Sequence, residues 1–194
     1  MNCNKVGKLI FNLRKEKNMT QKEVADKLNI SDKTISKWER GLGCPDVSLL
    51  SELSNIFNIN IEKILLGDLE PNEVDGGNMK RIKFYVCPNC GNITTCTGGA
   101  EISCCGRKLQ GEVAKLEDDN HKITVEEIEN DFYVTIDHEM TKSHYISFVA
   151  YVTFDRVLIV KLYPEQSPTV RFPRLSRGKL YIYCNEHGFI EKKK

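Results

Sequence analysis

Histidine is scarce in this sequence, tryptophan occurs once, and charge of either sign is close to absent as a net quantity. The 194 residues carry 28 Lys/Arg against 27 Asp/Glu, an ordinary soluble balance that by itself points to no charged partner. No apolar run approaches the roughly 20 residues that a membrane span needs. The polar start Met1-Asn2-Cys3-Asn4-Lys5 lacks the apolar stretch of a secretory signal. These absences set the expectation of a cytoplasmic protein with no membrane partner. In a reducing compartment the eight cysteines read as ligands or free thiols rather than a disulfide framework, with Cys3, Cys44 and Cys96 as spare thiols. There is no internal repeat, and the length suits one or two domains with a real core in at least one.

The near-zero net charge hides an asymmetry. Residues 1–41 hold ten Lys/Arg against five Asp/Glu, a local +5, so an anionic partner is expected for that end only. Val6, Leu9, Ile10 and Leu13 have helical spacing. Thr20-Gln21-Lys22-Glu23 is a capping box that opens a second helix through Val24, Ala25 and Leu28. Asn29-Ile30 makes a turn and Ser31 caps a third helix, with Ile35 and Trp38 inward and Lys33, Ser36, Lys37 and Arg40 on another face. Two more amphipathic helices follow, through Leu49–Phe57 and Ile61–Leu65. Taken alone, the polar face of the third helix is equally a solvated surface.

This five-helix pattern over residues 1–68 resembles the Cro/repressor-type (Xre) helix-turn-helix family. The resemblance implies a double-stranded DNA operator as partner and a homodimer reading paired half-sites. It places the helix from Ser31 to Arg40 in the major groove, with Asp32, Lys33, Ser36 and Lys37 reaching base edges and Gln21 anchoring a phosphate. Residues 69–80 are acidic and rich in turn formers, and read as a flexible linker spanning roughly 20 Å.

Two groups of metal-ligand residues lie beyond the linker. Cys87-Pro88-Asn89-Cys90-Gly91 forms a metal knuckle, and the adjacent pair Cys104-Cys105 follows fourteen residues after Cys90. Four thiolates make a closed tetrahedral site for Fe or Zn. All four histidines fall in the last 74 residues. His138 and His144 are six apart, and Cys184 and His187 three apart. Neutral imidazoles with one thiolate suit a late first-row metal. Between and around them, the segments 132–136, 145–154, 157–163, 169–172 and 179–183 are β-branched and aromatic and are separated by turn residues, which predicts an all-β sandwich.

His138-Glu139-Met140-Thr141-Lys142-Ser143-His144-Tyr145-Ile146, then Tyr183-Cys184-Asn185-Glu186-His187-Gly188, resembles the superoxide reductase (desulfoferrodoxin) family. The adjacent cysteine pair resembles that family's desulforedoxin module. The fold class expected is therefore multidomain: an all-α five-helix domain over 1–68, a small four-cysteine ribbon over 81–113 and an immunoglobulin-like β-sandwich over 114–194. By resemblance, His121, His138, His144 and His187 supply four nitrogens and Cys184 the axial thiolate of a mononuclear iron centre. The implied reaction is one-electron reduction of superoxide to hydrogen peroxide, with a rubredoxin-like protein as electron donor. The family's Glu-Lys pair before the first ligand histidine is here Asp119-Asn120, so Asp119 is the candidate for the catalytic carboxylate and the steering lysine is missing. Glu139 stands where the family usually has proline.

Overall fold

Asn2 starts the first helix by accepting hydrogen bonds from the backbone N–H groups of Asn4 and Lys5. Val6, Leu9, Ile10 and Leu13 then share the buried face of α1 (Cys3–Glu16). The capping box expected at Thr20 is complete: its hydroxyl accepts from Glu23 N–H while the Glu23 carboxylate accepts from Thr20 N–H, opening α2 (Gln21–Lys27). Asn29 turns the chain at φ 54°, and Ser31 caps α3 (Asp32–Glu39) by accepting from Thr34 N–H. A 3-10 turn at Val47–Leu49 leads into α4 (Leu50–Phe57), and α5 (Ile61–Leu66) ends at Gly67 in the left-handed region.

The core of this unit gathers Val6, Ile10, Val24, Ile35, Trp38, Leu53, Phe57 and Ile64 from all five helices. Helices α1 and α3 touch backbone to backbone, since a Cβ on Gly7 would fall 2.0 Å from the Trp38 carbonyl oxygen. The same pair is pinned by an ion pair with 6% and 4% of its side chains exposed. Arg14 donates to both carboxylate oxygens of Glu39, at 2.6 and 2.9 Å, and to the Met19 carbonyl at 2.8 Å. One expectation fails here. Cys3 and Cys44 are bonded to each other as a disulfide rather than spare thiols. The packing of α1 against the loop after α3 brings together two residues 41 apart in sequence.

The computed structural model describes residues 1–69, 77–175 and 177–193, in two units divided after position 71. Most of the expected linker, residues 70–76, lies outside the described residues. Its last part does not behave as a connector: Met79 N–H donates to the Phe154 carbonyl, and Met79–Arg81 forms a 3-10 turn.

The second unit is built from antiparallel pairings except for one parallel contact, between the fifth and last of its strands. β1 (Lys83–Val86) pairs with β2 (Ile93–Cys96), and β3 (Ile102–Cys104) with β4 (Arg107–Leu109). β6 (Lys122–Ile128), β7 (Asp131–Asp137) and β10 (Thr169–Pro173) form a three-stranded sheet in the order β10-β7-β6. The larger sheet, ordered β5-β12-β11-β8-β9, comprises β5 (Lys115–Leu116), β8 (Ile146–Val152), β9 (Val157–Lys161), β11 (Lys179–Cys184) and β12 (Gly188–Glu191).

Ile123, Val134, Ile136, Ile146, Val149, Tyr151 and Ile182 fill the space between the two sheets. Phe148, Ala150, Tyr181 and Phe189 face the other way and meet Phe84 and Val86 of β1. Strand β8 is therefore covered on both faces, which is why Ile146–Val152 reads as a nearly unbroken apolar run rather than an alternating one. The cysteine ribbon sits on the sandwich through this aromatic cluster, with Phe84 and Phe189 centroids 4.9 Å apart.

Candidate metal centre and nucleic-acid interface

The four histidines and Cys184 converge at one end of the sandwich. His121 closes a 3-10 turn (Asp119–His121) just before β6 and is buried. His138 follows β7 directly, and His144 precedes β8. Thr141 shapes the turn between them: its hydroxyl accepts from His144 N–H at 3.0 Å and donates to the His144 carbonyl at 3.1 Å. Cys184 ends β11, and a three-residue loop to Gly188 at φ +83° carries His187 back over it. Asn185 fastens the two turns together, accepting from Tyr145 N–H at 2.8 Å and donating to the Ser143 carbonyl at 2.6 Å.

The donor atoms have the spacing of a coordination shell. His121 Nε2 lies 3.1 Å from His187 Nδ1, His187 Nδ1 lies 3.2 Å from His144 Nε2, and His144 Nε2 lies 3.1 Å from His138 Nε2. Nitrogens at adjacent corners around an ion about 2.1 Å from each would stand roughly 3.0 Å apart. Cys184 Sγ is 3.4 Å from His187 Nδ1 and accepts from His187 N–H. All five donors fall within 4.8 Å of one another. Burial holds His138 below the ordinary imidazole range, which favours the neutral form a ligand needs.

Two carboxylates support the imidazoles from outside. Asp118 pairs with His121 Nδ1 at 2.6 Å, and that hydrogen bond holds its carboxyl below the usual carboxylate range. Glu139 pairs with His144 Nδ1, also at 2.6 Å. A carboxylate on the far nitrogen fixes the tautomer that turns Nε2 toward a metal and makes that nitrogen a better donor. Sequence reasoning missed Asp118, and treated Glu139 only as a departure from proline. The spacing of Asp118 and His121, three residues apart, was the available signal. Asp119, the expected catalytic carboxylate, is exposed and does not bond the ligand histidines. It borders a hollow of about 410 Å³ with Asn120, Asp137, His138, Glu139, His144 and His187. Removing a supporting carboxylate, as in Glu139→Ala, is expected to weaken metal binding about 10- to 100-fold in a chelator competition, with the sandwich still folded.

The second group is Cys87, Cys90, Cys104 and Cys105, whose sulfurs also lie within 4.8 Å of one another. Cys90 Sγ to Cys104 Sγ is 3.5 Å and Cys104 Sγ to Cys105 Sγ is 4.0 Å. Tetrahedral thiolates about 2.3 Å from an ion would be roughly 3.8 Å apart. The adjacency of Cys104 and Cys105 has a backbone cause. Strands β3 and β4 join through a two-residue turn in which Cys105 (φ 50°) and Gly106 (φ 73°) are both left-handed, so successive sulfurs reach one centre. Backbone N–H groups of Cys90 and Asn89 lower Cys87 to about 6, while the neighbouring Cys90 and Cys87 push Cys104 up to about 12. Four crowded thiols thus do not all ionise until a cation offsets their charge. Cys96 stays outside the group as a free thiol.

On the helical unit, Ser31, Asp32, Lys33, Lys37 and Arg40 are exposed and Ser36 is half-buried. Ser31 is spent on the helix cap, Asp32 accepts from Lys33 N–H, and Arg40 folds back to the Ser36 carbonyl at 3.2 Å. Gln21 donates a side-chain N–H to Glu39 at 2.7 Å. Lys8, Phe11 and Asn12 of α1 join Gln21, Ser36, Glu39 and Arg40 around a surface hollow of about 500 Å³, an extension that the helix-by-helix reading did not reach.

Residues 10–64 match the HTH_3 helix-turn-helix family model. Over 78 residues the chain is 37% identical to the HTH-type transcriptional activator BcrR of Enterococcus faecalis, covering 38% of each chain. It therefore spans about two fifths of that relative's length. Over 115 residues it is 27% identical to a desulfoferrodoxin of Clostridium acetobutylicum, covering 55% of this chain and 92% of the relative. The chain joins a helix-turn-helix domain to a desulfoferrodoxin-like one. The crystal structure of the superoxide reductase from Treponema pallidum has the same β-fold, with a TM-score of 0.52 at 22% identity over 59% of this chain and 99% of that one. No helix among the described residues is long and apolar enough to cross a membrane.

Proposed function

We propose that this chain is a DNA-binding transcription regulator whose desulfoferrodoxin-like part holds a mononuclear iron and responds to superoxide. The observation that carries this reading is the ring of donor atoms formed by His121, His138, His144, His187 and Cys184 in a chain that also carries a helix-turn-helix unit. The chemistry that iron supplies in such a donor set is one-electron transfer to superoxide, which with two protons gives hydrogen peroxide.

The residues around the site favour sensing over fast turnover. Among the described residues that line its hollow, Asp119, Asp137 and Glu139 are acidic and none is a lysine or arginine, while Lys115 lies nearby with its ammonium on the His187 carbonyl at 3.3 Å. Carboxylates at the mouth repel an approaching anion, and charge of the wrong sign in a cleft lowers on-rates by tenfold or more. Asn120 contributes a neutral amide at the position where the resemblance to superoxide reductases implies a lysine. Asp118 and Glu139 keep His121 and His144 aimed inward. The four-cysteine group, with Fe or Zn, stabilises the ribbon that packs on the sandwich. On the DNA side, Lys33, Lys37 and Arg40 contribute cations, Ser36 and Asp32 reach for base edges, and Gln21 takes a phosphate. A homodimer would present two such helices to paired half-sites.

Two measurements test this reading. Duplexes selected from a random-sequence library by the full chain should be bound with different affinity before and after one-electron oxidation, at fixed salt. Equal affinity would remove the sensing role. Rapid mixing with superoxide separates the rival reading, a superoxide reductase with a DNA-binding appendage. Rapid peroxide formation at substoichiometric protein would favour that enzyme, and slow single-turnover oxidation favours the regulator.

A further inference from the structure

The disulfide between Cys3 and Cys44 has no part in the iron chemistry, and it lies in the DNA-binding unit. Cys3 is the first residue of α1 and Cys44 sits in the loop that leaves α3, seven residues beyond Lys37. Both are half-buried, within reach of a small oxidant and a thiol reductant. A further close approach joins the same two segments. A Cβ on Gly41 would fall 1.8 Å from Asn4 Oδ1, and Gly41 N–H donates to the Trp38 carbonyl at 2.8 Å, so the loop already lies on the start of α1. Thiols held together in this way re-form their bond readily after reduction. The helix-turn-helix match begins at residue 10, so Cys3 lies outside what the family model covers.

We propose that Cys3 and Cys44 form a reversible oxidation site that takes a peroxide as oxidant and sets the DNA affinity of the helical unit. One thiolate attacks a peroxide oxygen and breaks the O–O bond, leaving a sulfenic acid and releasing, after protonation, one water. The second thiolate then attacks that sulfur, forming the S–S bond and expelling the sulfenic oxygen as the second water. Two thiols lose two electrons and two protons, and hydrogen peroxide takes up both. A dithiol reductant reverses the reaction by exchange. The closed bond ties α1 to the loop after α3 and so restricts the end of the helix that carries Lys37 and Arg40. Pre-organising a binding element raises affinity. The idea that superoxide reduction in the same chain supplies the peroxide rests on the function proposed above, but the cysteine chemistry does not.

The test uses the metal-loaded full chain, reduced with a dithiol, freed of it, and exposed to stoichiometric hydrogen peroxide or to a superoxide generator. Alkylation and peptide mass spectrometry report the state of Cys3 and Cys44. Affinity is read on a duplex selected from a random-sequence library with the oxidised chain. Peroxide should close the pair and tighten binding about threefold or more. C3S/C44S, which keeps every metal-site cysteine, should lose the part of the change that follows closure of the pair, keeping at most what oxidation of the iron itself produces, while retaining its helical circular dichroism. The proposal is overturned if peroxide leaves both thiols open to alkylation, if wild-type affinity is the same in both states, or if C3S/C44S shifts as wild type does. Should C3S/C44S fold poorly, wild-type protein with the pair open or closed, both with the iron fully oxidised, gives the comparison without substitution. Closure by added peroxide but not by superoxide would count against the proposed iron chemistry and still support the cysteine site.

Discussion

Cys184→Ser is expected to abolish the red absorption of the oxidised, iron-loaded protein and to loosen the metal. Cys184 is fully buried at the end of β11, and its sulfur accepts the His187 N–H at 3.4 Å while lying 3.4 Å from His187 Nδ1. A thiolate in that place is the only soft, polarisable donor among the five, so the sulfur-to-iron charge-transfer band of this centre, as distinct from any from iron in the four-cysteine group, depends on it. Serine fills nearly the same space, so the sandwich should remain folded. Its hydroxyl stays protonated under conditions where a metal-bound thiol is ionised, so it is a far poorer ligand. A visible spectrum and metal content measured together check this. A red band of unchanged intensity in the serine variant would remove Cys184 from the ligand set.

The other large effect lies in the helical unit. Glu39→Ala is expected to destabilise it by about 3–5 kcal/mol, because the substitution leaves the buried Arg14 guanidinium without its carboxylate and deprives Gln21 of its acceptor. For a unit of this size that loss corresponds to a fall of roughly 12 °C or more in melting temperature. Circular dichroism at the helical wavelength resolves the effect from the β-rich unit. Replacing both partners by well-packed apolar residues, as in R14M/E39L, should recover much of the loss, since the cost comes from a stranded charge rather than from the absence of an ion pair. A shift of under about 1 kcal/mol for Glu39→Ala would show that the guanidinium finds other partners.

What was legible in the sequence was local. The Thr20–Glu23 capping box and the Ser31 cap depend on residues three apart, and both form as written. His138 with His144, and Cys184 with His187, are each closed by a single turn, so their spacing carried the geometry. The adjacent pair Cys104-Cys105 was legible because the two-residue turn that accommodates it is itself local. Contacts between distant segments were not legible. Cys3 and Cys44 meet only after α1 packs on α3, and an assumed reducing compartment argued against pairing them. Asp118 gained its role from a 3-10 turn that composition does not announce. Glu139 read as a loss because only the departure from proline was visible, whereas its carboxylate supports His144. Strand β6 was missed because Glu127 stands on the same face as Ile123 and Val125 and breaks the apolar alternation, and β12 because four residues after a metal-ligand turn show no period.

The claim on which the rest depends is that His121, His138, His144, His187 and Cys184 share one iron. Metal analysis with a visible spectrum, on full-length protein purified without oxygen and then oxidised, tests it most directly. Iron retained with the protein, and a red absorption that appears on oxidation, disappears on reduction and is lost in Cys184→Ser, is the predicted result. Protein that carries zinc alone and stays colourless in both states would contradict it.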